Sequence, residues 1–555
     1  MEKNQRITCA FIILIGLVYF CLLIPANLTG AADPEMLSVF EVDEYAQYPH
    51  VIQMLTPGDT LYHSIRNFFI YQHYFYGFPF YFLSAISVFP LKLLSPNWPE
   101  NTRLIVCWLR MTINVLPMIF AIGIFTWLIT RFKNRLISLS LFVFLLTIPA
   151  VLLNNFWWHP DSLSLFFISL VFLFLDLDEF RFGKYFSLAA AACGYTVGIK
   201  YQGLYFALAI PLLLIYAILR KRLSWKKAIK KAIIFVVIMM VFFIFSNPLL
   251  LLPQERAEII RTQQIQFEQT GVGIFTIHSN ALRNSLLLPS DIRKYYAETW
   301  FFILAIIGLL MGFKGEEKQR IQSLLFLSYL MVAFCITTYA ATNRLHYFLP
   351  VAVPLLGFIA DFYFIGKRDF PAIDLKFGTN IRKVMYGILT LLIAFQFSLN
   401  IRLDHSLYRD QLSRETESSS IALYHQIENE IIPVLKSKVN NRMIRVFRDW
   451  KVYFPDQEGV AVQMDWNMAT LDKINEWQPD LIILEEENLK EFSDPTIIDH
   501  AVNPEEMKLI HSFYQQAASD QIPGYDRIMQ NSFGSVYVRV GMRDALKKDC
   551  RCEFP

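Results

Sequence analysis

Two adjacent carboxylates, Asp43 and Glu44, stand in the stretch "FEVDEYAQYP" just behind the first strongly apolar segment of the chain. A carboxylate at a membrane face suits the role of general base toward an acceptor hydroxyl. Solvation alone would also explain the pair, because residues 26–77 carry Asp33, Glu35, Glu41 and Asp59 as well. Neighbouring side chains point in different directions in a helix or an extended loop, so only one of the two is the base. A second group is His159, Pro160 and Asp161 in "NNFWWHPDSLSLFF". Structurally, Asp161 or Ser162 can open a helix with proline in its first turn. Chemically, His159 and Asp161 can bind a divalent metal or orient a polar substrate, with Trp157 and Trp158 as stacking platforms or interfacial anchors. Lys200, followed by Tyr201 in "GIKYQG", either snorkels to the surface or meets a lipid phosphate. Arg344 in "TNRLHYF" has the same choice, and its fork matches phosphate oxygens, with His346 and Tyr347 close behind it.

The elements that must hold these residues are membrane helices. The 555-residue chain is 54% hydrophobic with 49 Phe and only 18% charged residues, and its mean hydropathy is +0.36. That composition excludes an ordinary soluble enzyme of this length and implies a polytopic membrane protein. A net charge of +3, with no basic run interleaved with aromatics outside the membrane-flanking loops, argues against a nucleic-acid partner. Residues 7–25 read as a retained anchor rather than a cleaved signal peptide. Eleven further apolar stretches follow, near 78–94, 104–130, 136–153, 162–175, 185–199, 201–219, 232–252, 299–313, 322–341, 347–366 and 384–400. The basic clusters "RFKNR", "RKRLSWKKAIKK" and "GKRDF" with Arg382 and Lys383 belong on the cytoplasmic side with Lys3 and Arg6. They share that side only if one stretch fails to cross. Residues 78–94, with prolines near both ends and a lysine inside, are predicted to re-enter or lie in the interface, leaving about eleven spans.

With that topology, residues 26–77, 154–161, Lys200, the long loop 253–297 and 342–348 all fall on the non-cytoplasmic side. Beyond 400 the sequence turns mixed and charged. "MIRVFRDW", "GVAVQMDW", "DLIILEE" and "FGSVYVRV" predict strands, and "SSIALYHQIENEIIPVLKS" and "NPEEMKLIHSFYQQA" predict amphipathic helices. The fold expected is therefore a polytopic α-helical membrane domain over 1–400, with first outer loop 26–77, and an extracytoplasmic α/β domain over 401–555. Five cysteines lie in or beside apolar segments, and Cys550 and Cys552 form a lone C-x-C without zinc-site partners.

"VDEYAQYPHV", "NNFWWHPDSLSLFF", "GYTVGIKYQGLYFALAIPLLL" and "NRLHYFLPVAVPLLGF", in this order and on one face, resemble the signature regions of the GT-C superfamily of membrane glycosyltransferases. The likeness is to its bacterial protein-mannosyltransferase-like and lipid A aminoarabinose-transferase-like branch, over about residues 1–400. The resemblance implies a polyprenyl- or dolichyl-phosphate sugar donor, inverting transfer to a lipid, glycan or protein acceptor, and Asp43 as base with Glu44 beside it. It places the His159–Asp161 triplet where family members have an acid near the acceptor or a metal. A departure is that the expected "PPL" reads "YGFPFYF" without a basic residue before it. The implied setting is a bacterial cytoplasmic membrane. The rival reading, a transporter or flippase, predicts inverted repeats and mid-span charges.

Overall fold

The computed structural model describes residues 3–278, 288–341, 344–362, 379–439 and 442–549. The "GKRDF" cluster and Cys550 and Cys552 lie outside these residues, and so do the side chains of Arg382 and Lys383. Among the described residues six helices are long and apolar enough to cross a membrane, and four shorter apolar helices accompany them. The long six are Lys3–Asn27, Thr102–Thr130, Tyr201–Leu219, Trp225–Ser246, Glu317–Tyr339 and Tyr386–Ser413. Their apolar outer faces stay exposed, as with Leu14, Leu17, Val237 and Val241, while Phe125 and Phe326 pack inside together with Phe172 and Leu349 of neighbouring helices. The chain is an integral, multi-pass membrane protein.

Two groups of helix ends define the molecule's poles. At one, Arg131 pairs with Asp176, Lys318 with Asp176 and Glu179, and Arg222 with Glu317. The Gln5 amide donates there to the carbonyl of Arg131. The basic segments 131–135 and 220–231 thus gather at this pole with the N-terminal helix. The helices lead from it to the opposite pole, where Asn27, Asp161 and Lys200 lie.

Several local breaks differ from the sequence expectation. The stretch 136–153 is two helices, Arg135–Leu146 and Pro149–Asn154. Proline lacks the N–H a helix needs and pushes the residue before it out of the helical region, and Ile148 is extended here. The expected loop 253–297 contains the 20-residue helix Pro253–Val272. Residues 78–94 form one helix, Phe78–Leu94, whose Phe80, Tyr81, Ser84 and Val88 are buried.

The C-terminal region carries a five-stranded sheet, ordered β2-β1-β3-β5-β4. Its strands are β1 (Ile444–Arg448), β2 (Val460–Met464), β3 (Leu481–Glu485), β4 (Tyr525–Gln530) and β5 (Gly534–Arg539). β1 is parallel to both β2 and β3, whereas β5 is antiparallel to β3 and β4. The "LIILE" run of β3 is buried throughout, as a central strand covered on both faces requires. β4 was not among the four expected strands, since "YDRIMQ" lacks a clean alternation and is broken by a bulge at Arg527/Met529.

Candidate active site

The helix Val42–Leu55 presents three consecutive residues to three different surroundings, because successive side chains on a helix turn by about 100°. Glu44 is fully buried and accepts from Arg110 Nε at 2.8 Å and from Arg110 Nη2. It also accepts from the backbone N–H of Trp158 at 2.5 Å. Arg110 completes its fork on the carbonyls of Asn27 at 3.0 Å and Thr29 at 2.9 Å. Such a buried pair is tolerable only with its remaining donors satisfied, as these are. Glu44 is thus closed off from any substrate.

Asp43 faces the other way. Its side chain is 40% exposed, and Oδ2 lies 3.8 Å from His159 Nε2. His159 is buried, its ring stacked on Trp157 at 4.1 Å and 4° and its backbone N–H held by Asn114 Oδ1 at 3.1 Å. The Tyr76 hydroxyl is 2.6 Å from His159 Nε2. Burial first, then the charges of Asp43 and Asp161, hold the Tyr76 phenol well above its ordinary range, so it keeps its proton. His159 Nδ1 is left facing Asp161.

Asp161 is the first residue of the helix Asp161–Asp178, directly after Pro160. Its Oδ1 accepts from Lys200 Nζ at 2.7 Å, and its Oδ2 contacts His159 Nδ1. Lys200 ends the helix Lys184–Ile199 in an extended conformation, which turns its side chain back across the site. The ammonium lies 5.2 Å from the Tyr347 ring, and the exposed Arg344 guanidinium stands 6.0 Å from the same ring. His346 packs at 5.0 Å from the His159 ring and 5.3 Å from Trp157.

The structure therefore brings together Asp43, His159, Asp161, Lys200, His346 and Tyr347, with Arg344 at the rim. Glu44 turns into the protein, and Tyr201 is 50% exposed. Trp158 is no platform either, being wholly buried, stacked on Phe80 at 5.2 Å and bonded through Nε1 to Ser84 Oγ at 3.0 Å. Tyr76 and Arg110 were missed in the sequence. Tyr76 lies in the "YGFPFYF" segment, and Arg110 is a lone cation inside an apolar run, a signal in itself.

His159, Asp161 and His346 each offer a ligand atom within 4.8 Å of the others. His159 Nδ1 and Asp161 Oδ2 are buried and neither has a properly aligned hydrogen-bond partner. Two imidazoles and a carboxylate are a donor set suited to a divalent transition-metal ion, and the orphaned atoms fit one.

No family model and no curated protein matches the sequence. Among solved structures, the chain is similar to the Archaeoglobus fulgidus oligosaccharyltransferase AglB in complex with an inhibitory peptide and a dolichol-phosphate. The TM-score is 0.50 at 12% identity, covering 96% of this chain and 74% of that one. It is also similar to ArnT from Cupriavidus metallidurans bound to undecaprenyl phosphate, at a TM-score of 0.48 and 11% identity over 97% of this chain and 99% of the other. The chain has a GT-C-like membrane fold.

Proposed function

We propose that this GT-C-like chain is a glycosyltransferase that moves a hexose or pentose from a polyprenyl-phosphate donor to an acceptor hydroxyl at the outer membrane face, with inversion. The observation that carries this reading is the contrast between Asp43, open to solvent, and the buried polar group beside it. Asp43 takes the proton of the acceptor hydroxyl as its oxygen attacks the anomeric carbon. The bond from that carbon to the phosphate oxygen breaks with the electron pair, and polyprenyl phosphate departs. A lipid phosphate leaves as an anion, so no carboxylic acid is needed to protonate it, in contrast to glycoside hydrolysis. What the site needs is positive charge opposite that phosphate, and Lys200 and Arg344 supply it. Asp161 fixes the Lys200 ammonium, while Tyr76 and Trp157 fix the His159 ring. His159, Asp161 and His346 would hold a divalent ion, which when bound adds charge stabilisation to the same end.

In this reading residues 1–400 form the catalytic membrane domain and 401–555 an extracytoplasmic domain, in a bacterial cytoplasmic membrane. The gathering of basic segments at the pole away from Asp43 supports that orientation. The donor's tail stays in the bilayer, so a site at the membrane face meets a concentrated substrate. The test is purified protein in detergent with polyprenyl-phosphate sugars, following release of polyprenyl phosphate. Asp43→Asn is expected to lose activity by about 10²- to 10⁴-fold. Equal rates in wild type and Asp43→Asn would overturn Asp43 as base.

A further inference from the structure

Tyr45, the third residue of the helix turn that carries Asp43 and Glu44, faces the C-terminal region. Its ring lies 5.9 Å from that of Trp466, which is in turn 6.0 Å from Trp450 at 81°. Both tryptophans follow the carboxyl ends of parallel strands, Trp450 two residues after β1 and Trp466 two after β2. The chain passes from β1 to β2 on one side and returns to β3 on the other, so the connections part at β1. In open parallel sheets, ligands bind outside the carboxyl ends of the strands at such a switch point.

The polar groups at this place are unusual for a region that only packs. Glu485, the last residue of β3, is 5% exposed, and its Oε2 has no hydrogen-bond partner. Its other oxygen is 3.6 Å from Lys451 Nζ. The buried Nε1–H of Trp450 also has no acceptor. Asp449 beside them, by contrast, is satisfied by the Glu485 N–H, Asn488 Nδ2 and the Tyr514 hydroxyl at 2.9, 3.1 and 2.7 Å. One free carboxylate oxygen and one free indole N–H provide the acceptor and the donor that neighbouring sugar hydroxyls require. The aromatic faces suit the apolar C–H face of a pyranose.

We infer that the crevice formed by Trp450, Trp466, Lys451 and Glu485 with Tyr45 binds a glycan, and that this glycan is the acceptor whose hydroxyl is presented to Asp43. The inference rests on the glycosyl-transfer reading for the second clause only. Two indole faces at a steep angle to one another, with a carboxylate and an ammonium in the adjoining turns, favour a polyhydroxylated ring over an extended peptide, which would seek backbone partners.

The test uses the full chain in lipid nanodiscs on printed arrays of bacterial cell-envelope oligosaccharides and of Ser/Thr-containing peptides. Wild type is expected to retain oligosaccharides and not peptides, and Trp466→Ala to lower the signal at least about tenfold. Trp466→Phe, which keeps an aromatic face, should restore much of it, and Glu485→Gln should weaken it. No oligosaccharide retained, equal retention by Trp466→Ala, or peptides retained in a Trp466-dependent way would each overturn the inference. A parallel assay follows release of polyprenyl phosphate from the polyprenyl-phosphate sugar by wild type. Its absence sinks the glycosyl-transfer reading while leaving the array result to judge the crevice.

Discussion

Asp43 and Glu44 differ by one position and by everything around them. Helical geometry alone makes them diverge, so the sequence already requires that only one act as base. The resemblance favours Asp43, but the physical reason comes from Arg110, 66 residues further along. No local pattern reveals that pairing. Yet a lone arginine within "CWLRMTINVLP" demands a buried partner, and the structure supplies Glu44. The two carboxylates should therefore separate cleanly on mutation. Asp43→Asn should lose transfer at unchanged stability. Glu44→Gln leaves a buried guanidinium unpaired, and breaking such a pair costs about 3–5 kcal/mol. Its melting temperature should fall by several degrees, and Arg110→Met added to Glu44→Gln should recover part of the loss, since it removes the stranded charge. Thermal unfolding of the two single variants and the double variant reads this directly. A Glu44→Gln protein that melts like wild type yet does not turn over would assign Glu44 to the chemistry instead.

At the scale of elements, the site depends on how closely two backbones approach behind it. Tyr76 reaches His159 only because Gly77, at the start of the helix Phe78–Leu94, lies against the end of the helix Lys184–Ile199. The Gly77 N–H donates to the carbonyl of Ile199 at 3.3 Å, and a Cβ on Gly77 would sit 1.6 Å from the Gly198 carbonyl oxygen. Asn247 closes the junction, accepting from the Phe78 N–H at 3.0 Å and donating to Gly198 at 3.3 Å. Gly77→Ala cannot be relieved by a rotamer change, because the obstacle is backbone. It should cost about 1–3 kcal/mol, as overpacking usually does. It should also displace Tyr76, so that transfer drops more than the loss of stability accounts for at a temperature where the variant is folded. Normal activity in Gly77→Ala would show that the Tyr76–His159 contact is dispensable. The apolar runs and their polar interruptions were legible as elements from hydropathy. The contact between Gly77 and Gly198 was not, because it joins segments more than a hundred positions apart through backbone atoms alone. The helix Pro253–Val272 is illegible in the sequence for another reason: none of its residues is buried, so it carries no apolar stripe to announce it.

At the scale of the whole molecule, the membrane part and the C-terminal region meet in part through the seven-residue helix Pro34–Phe40. A helix this short does not hold its own conformation, so its order comes from what it docks against. Met36 is buried in the same cluster as Leu423, Val446 and Ile483 of the C-terminal region. Asp33 accepts from the Tyr453 hydroxyl at 2.6 Å. Glu35 pairs with Arg448, which is buried and also donates to Ser38 Oγ at 3.3 Å and to the carbonyls of Trp450 and Val452 at 3.1 and 2.9 Å. From the other direction the end of the helix Thr379–Ser413 grips the preceding turn, with Thr29 Oγ1 donating to the Gln411 carbonyl at 2.8 Å and the Gly30 N–H to Glu415 at 2.6 Å. These bonds set the sheet's carboxyl edge beside the Asp43 helix, and Glu35 is the member whose loss strands a charge at the junction. Glu35→Ala should therefore loosen this contact without unfolding either part. Hydrogen exchange should rise together in residues 31–40 and 448–454, while the helices Thr102–Thr130 and Glu317–Tyr339 stay protected. A rise confined to 31–40 would mean that the two segments do not open as one unit. A rise throughout the sheet would mean that Glu35 supports the fold of the C-terminal region rather than its placement. Only the coupled, local response fits a junction that holds the carboxyl edge of the sheet beside the Asp43 helix.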